Sequence, residues 1–117
     1  MCSREEVRRR LEQDITGFKL LLQIFQEIID KTSKRIKELK YLSKEIYGVE
    51  LHGAKAAGEQ FRMILEKGEE KFLDWARLLV EGIMLEEGRE RLKKRKLETK
   101  LMLEMLKDTL VRGEEDG

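Results

Sequence analysis

A chain of 117 residues with 25 basic and 24 acidic side chains carries a formal charge of only +1, with 42% of its residues charged and 6% aromatic. It contains no proline and no asparagine, so the turn chemistry and β-branched runs that sandwiches, barrels and open sheets require are missing. Abundant Glu, Lys, Arg and Leu belong to long helices and coiled coils, and the length suits one domain, here 1–112.

The single cysteine, Cys2, has no internal disulfide partner, which points to a reducing, cytoplasmic setting. The opening residues 1–6 carry acids and no apolar core, so no secretory signal is expected. No apolar run approaches the roughly 20 residues of a membrane span. Ser3 followed by Glu5 and Glu6 is a helix start: a capping hydroxyl, then acids near the positive end of the helix dipole.

From there Leu11, Phe18, Phe25, Thr32, Leu39 and Ile46 fall seven apart, with Ile15, Leu22, Ile29 and Ile36 in a companion row that breaks at Ser43. Two apolar rows at heptad spacing are the mark of a coiled-coil helix. The pattern predicts one helix over about 4–47, roughly 66 Å long at 1.5 Å per residue. Gly48 and Gly53 bracket the one strong break, with Gly48 at the left-handed position that ends helices.

A second pattern follows the turn at 48–53. Ala54, Phe61, Gly68, Trp75 and Gly82 lie seven apart, with Gly58, Leu65, Phe72 and Leu79 alongside. Small residues alternating with aromatics suggest a stripe that admits bulky partners. Folding back antiparallel around residues 50–51 would set Gly82 near Phe18 and Trp75 near Phe25. Either one helix runs over about 54–111, with a bend near 86–88, or a third helix begins near Arg89. Residues 113–117 are expected to be a disordered tail.

The expected fold is therefore all-α: a long antiparallel helical hairpin, or a three-helix bundle. Phe18, Leu22, Phe25, Ile29, Phe61, Phe72, Trp75, Leu79 and Gly82 form its core or interface. A hairpin with wide apolar stripes leaves one side open, and 101–110 is apolar around much of its circumference. Such surface is normally covered by another chain, so a coiled-coil-like homodimer is expected.

Little here points to catalysis. His52 is the only histidine, without partners at metal-ligand spacing, and reads as a solvated loop residue. No nucleophile elbow and no phosphate-cradling glycine loop is present. Glu69, Glu70, Asp74, Glu86 and Glu87 read as solubilising charges rather than paired catalytic carboxylates. No enzyme, cofactor or metal is expected.

Charge is segregated instead. Residues 31–44 hold six bases (Lys31, Lys34, Arg35, Lys37, Lys40 and Lys44) against one acid, and 89–100 hold seven (Arg89, Arg91, Lys93, Lys94, Arg95, Lys96 and Lys100) against two. Residues 66–87 hold three bases against seven acids. The zones are either solvated helix faces with ion pairs or an anion-binding surface for lipid headgroups or nucleic-acid phosphates. Single-strand binders need exposed aromatics for stacking, but here the Phe and Trp residues lie on packing rows.

Gly17-Phe18-Lys19-Leu20-Leu21-Leu22-Gln23-Ile24-Phe25, then Lys31-Thr32-Ser33-Lys34-Arg35 and Lys44-Glu45-Ile46-Tyr47, resemble the opening helix of BAR and F-BAR domains. The stretch from Leu78 to Lys96, apolar then basic, is similar to their second helix. The resemblance covers these two helices, lacks the family's second-helix proline, and the chain is short for the family. It implies an elongated helical dimer whose basic faces meet anionic membrane. The expected role is a self-associating scaffold or adaptor, for a protein partner the sequence does not specify and with membrane contact through the basic zones. A helical subunit bound to nucleic acid is the alternative.

Overall fold

The computed structural model describes residues 3–51 and 57–115. It is all-α, with α1 over Arg4–Tyr47, α2 over Ala57–Leu65 and α3 over Glu69–Glu115. Cys2, His52, Gly53 and Ala54 lie outside the described residues, as do 116–117.

The first helix begins and ends as its sequence dictates. Ser3 Oγ accepts the Glu6 N–H at 3.2 Å, satisfying one of the orphan donors of the first turn. Gly48 takes φ +69° and its N–H donates to the Lys44 carbonyl at 3.0 Å, the αL form of helix stop. Of the eleven positions on the two heptad rows, Ser43 included, ten are buried or half-buried. The exception is Ile46, 63% exposed, so the row ends one turn before the helix does.

The return is longer than the sequence suggests. Twenty-one residues separate α1 from α3, and α2 occupies part of them, where one helix is expected from residue 54. After Leu65 the chain turns through Glu66 and Lys67 to Gly68, whose φ is +117°. A side-chain-bearing residue rarely adopts that conformation. Gly68 is thus a helix stop, not a small packing residue, and Gly58 and Leu65 of the companion row are exposed.

The longer return shifts the pairing. A Cβ built at Gly82 would meet Leu39 Cδ1 and Leu51 Cδ1, each at 3.9 Å, and Trp75 bonds to Ser43. Phe18 and Phe25 are therefore not the partners of Gly82 and Trp75. From Trp75 onward, α3 runs without a break through 86–88, and no third helix starts at Arg89. Gly113 to Glu115 are helical, so the expected tail at 113–117 starts too early. In alternating steps of three and four, residues 75, 78, 82, 85, 89, 92, 96, 99, 103, 106 and 110 are all buried or half-buried. That is one continuous heptad seam.

Two compact units share these helices: 30–90, and 1–29 with 91–117. In the first, Val49, Ile64 and Trp75 form a core flanked by Tyr47, Leu51, Phe61, Phe72 and Leu79. Phe61 meets the Phe72 and Trp75 rings edge-on, with centroids 5.5 and 5.7 Å apart, an arrangement aromatic quadrupoles favour. Lys67 Nζ donates to the Tyr47 carbonyl at 3.0 Å and Gln60 Nε2 to the Glu50 carbonyl at 2.7 Å, pinning the return to the end of α1. Among the described residues of the second unit, the buried side chains are Ile15, Ile29, Thr99 and Leu103.

Candidate functional site

The basic zone on α1 lies against acids. Arg35 donates from Nε and Nη2 to the two carboxylate oxygens of Glu81, at 3.0 and 3.1 Å, and from Nη1 to Glu38 at 3.1 Å. Glu81 first, and Glu38 second, raise the guanidinium pKa above its usual value. Lys40 pairs with Glu86 at 3.8 Å and Lys44 with Glu50 at 3.5 Å, while Lys31 also holds an interaction within the chain. Two acids of the 66–87 stretch, Glu81 and Glu86, thus pair with two bases of the 31–44 stretch, Arg35 and Lys40. Lys34 and Lys37 are exposed and have no partner among the described residues.

The basic zone on α3 divides by helix face. Arg89 and Lys96 occupy the heptad seam: Arg89 Nη1 donates to Ser33 Oγ at 3.1 Å, and Lys96 Nζ donates to Gln26 Oε1. Both are half-buried, and the buried Arg89 Nε has no partner among the described residues. These two cations reach polar partners on α1. Arg95 pairs with Glu98 at 3.6 Å and Lys93 holds an interaction within the chain. Arg91, Lys94 and Lys100 are exposed and without a partner among the described residues. A signal for the split was present: positions 75, 82, 89, 96, 103 and 110 continue one row at seven-residue spacing.

The residues expected to pack are placed as follows. Ile29 and Trp75 are buried, and Phe18, Leu22, Phe25, Phe61, Phe72, Leu79 and Gly82 are half-buried. Between α1 and α3 in unit 30–90 lies a cavity of about 20 Å³ lined by Ile36, Leu39, Leu51, Leu79, Gly82 and Ile83. It would admit one water and no substrate. Among the described residues no cluster of three His, Cys, Asp or Glu is placed to hold a metal, and no helix is long and apolar enough to cross a membrane.

The packing rows leave apolar surface that sequence reasoning did not single out. On α1, Leu20, Leu21, Ile24 and Ile28 are 43–56% exposed. In the same unit Leu97, Leu101, Met102 and Met105 of α3 are 52–70% exposed. In unit 30–90, the outer face of α3 exposes Leu73, Val80 and Met84 to 53–67%. A second apolar stripe beside the seam is the unusual feature, because an ordinary surface helix turns a polar face to water.

No family model matches this chain, and neither a curated protein nor a solved structure matches it.

Proposed function

We propose that the chain is a non-enzymatic helical scaffold that works as a self-associated homodimer. One observation carries this reading. Among the described residues of 1–29 and 91–117, two helices bury Ile15, Ile29, Thr99 and Leu103, while ten large apolar side chains stay 43–70% exposed. At about 25 cal/mol per Å² of apolar surface, covering such a stripe is a strong drive to associate. The reading predicts that folding and assembly are coupled, so the thermal midpoint rises with chain concentration. A midpoint constant over a hundredfold dilution contradicts it.

The partner's charge is a second part of the proposal, supported by Arg91, Lys94 and Lys100 having no partner among the described residues. These three bases suit an anionic surface. The likeness to BAR domains favours lipid headgroups and peripheral attachment to a membrane, and nucleic-acid phosphate is the rival. Each base near an anionic membrane contributes about 1 kcal/mol, weakening as salt rises, whereas duplex binding falls along a steep log-linear salt slope. Sedimentation with anionic vesicles beside a duplex shift assay, both across a salt series, separates the two.

A further inference from the structure

Gly17 lies inside a 44-residue helix, where glycine is unfavourable, and a Cβ built there has nothing within 4 Å. Nothing within the described chain calls for its small size. It shares a face of α1 with Leu21, Ile24 and Ile28, in steps of four, three and four, and all four are exposed. That spacing is a heptad seam in its own right, separate from the one facing α3.

The stripe is also self-complementary. Extended by one step at each end along the unbroken α1, it runs Asp14, Gly17, Leu21, Ile24, Ile28 and Lys31, and its spacing reads the same in both directions. Laid antiparallel on a copy of itself, it sets Gly17 opposite Ile28, Leu21 opposite Ile24, and Asp14 opposite Lys31. The smallest residue meets a large one, and opposite charges close both ends. Lys31 already holds an interaction within its own chain, and its long side chain can share it. The next layer would bring Arg10 toward Arg35, whose guanidinium Glu81 and Glu38 hold, so the seam ends there.

We infer that this stripe is the seat for the same stripe of a second copy, antiparallel across a two-fold axis. The inference rests on the self-association proposed above and names the surface that performs it. Such an interface is isologous, each contact occurring twice, and places the two hairpins as a four-helix layer. Gly17 is then small because the Ile28 side chain of the second copy packs over it.

Crosslinking by a short bismaleimide tests the arrangement, in the full chain with Cys2 replaced by serine. Asp14→Cys mixed with Lys31→Cys should give crosslinked dimer, and neither variant alone should, because like positions would lie roughly 25 Å apart at 1.5 Å per residue. Ile24→Glu should weaken self-association about a hundredfold, as burying an unpaired carboxylate requires, with helical content retained because residue 24 is exposed within the chain. Links within each single variant would mean parallel pairing and overturn the inference. A dimer that neither crosslinks in the mixture nor responds to Ile24→Glu would also overturn it, while leaving self-association standing. A wild-type chain that is monomeric throughout would remove both.

Discussion

The indole Nε1–H of Trp75 donates to Ser43 Oγ at 2.9 Å, and the same hydroxyl donates to the Val49 carbonyl. Ser43, Val49 and Trp75 are all buried, and the Val49 N–H also reaches the Ser43 carbonyl at 3.4 Å. One serine thereby ties α3 to the residue just after the α1 stop. A hydrophobic residue on that row would leave the indole donor unpaired.

Replacing Ser43 by alanine strands both the indole N–H and the Val49 carbonyl in the core. Leaving buried polar groups unpaired costs about 1–3 kcal/mol, and urea unfolding should show a loss of that size. Trp75→Phe in the Ser43→Ala background should cost less than Trp75→Phe alone, since the partner is already gone. Unchanged stability in Ser43→Ala would mean the relay does not contribute.

Gly82 packs beside Leu39 and Leu51, not beside Phe18. Its neighbours Leu39 and Leu51 stand at ordinary contact distance from a new Cβ. Gly82→Ala should therefore stabilise by about 1 kcal/mol through helix propensity, and Gly82→Leu should destabilise by about 1–3 kcal/mol through overpacking. Thermal unfolding of the pair is the readout. A stabilising leucine would put position 82 in open space.

Arg89 sits on the seam with its Nε unpartnered among the described residues, and a polar residue on a heptad seam can set register at a cost in stability. Arg89→Leu removes the orphaned donor and should raise stability by about 1 kcal/mol. If Ser33 and Arg89 set the register of the two helices, the same variant should show broadened or doubled backbone resonances. A destabilised variant with sharp resonances would assign the contact a purely stabilising part.

Charge reversal should split the α3 basic zone in two. Arg89→Glu with Lys96→Glu should lower the unfolding temperature, because both side chains face α1 partners. Arg91→Glu, Lys94→Glu and Lys100→Glu together should leave folding intact and abolish vesicle or duplex binding. A wild-type chain that ignores both anionic vesicles and nucleic acid at low salt would discard the anionic-partner proposal and leave the scaffold reading alone.

The legible parts of the fold were those set by local chemistry. Ser3, the two α1 rows and the Gly48 stop each follow from a residue type and its spacing. The return was illegible because Phe61, Gly68 and Trp75 keep a seven-residue spacing across what is in fact a turn. Gly68 is the only residue of strong turn chemistry there, with no proline or asparagine beside it. Misplacing that turn shifted every pair between α1 and α3, so the partners of Arg35, Lys40, Arg89 and Lys96 were beyond reach. Apolar residues on both the inner and outer faces of α3 masked its seam in the same way. The outer stripe Leu21, Ile24 and Ile28 was visible as letters, but its exposure depends on which row α3 covers, which is a tertiary fact.

Sedimentation equilibrium of the full chain at micromolar concentration is the decisive test of the proposed homodimer, which would cover the exposed apolar stripe. A homodimer gives a mass at least twice the 13.9 kDa of one chain. A single species of 13.9 kDa at every concentration would contradict it.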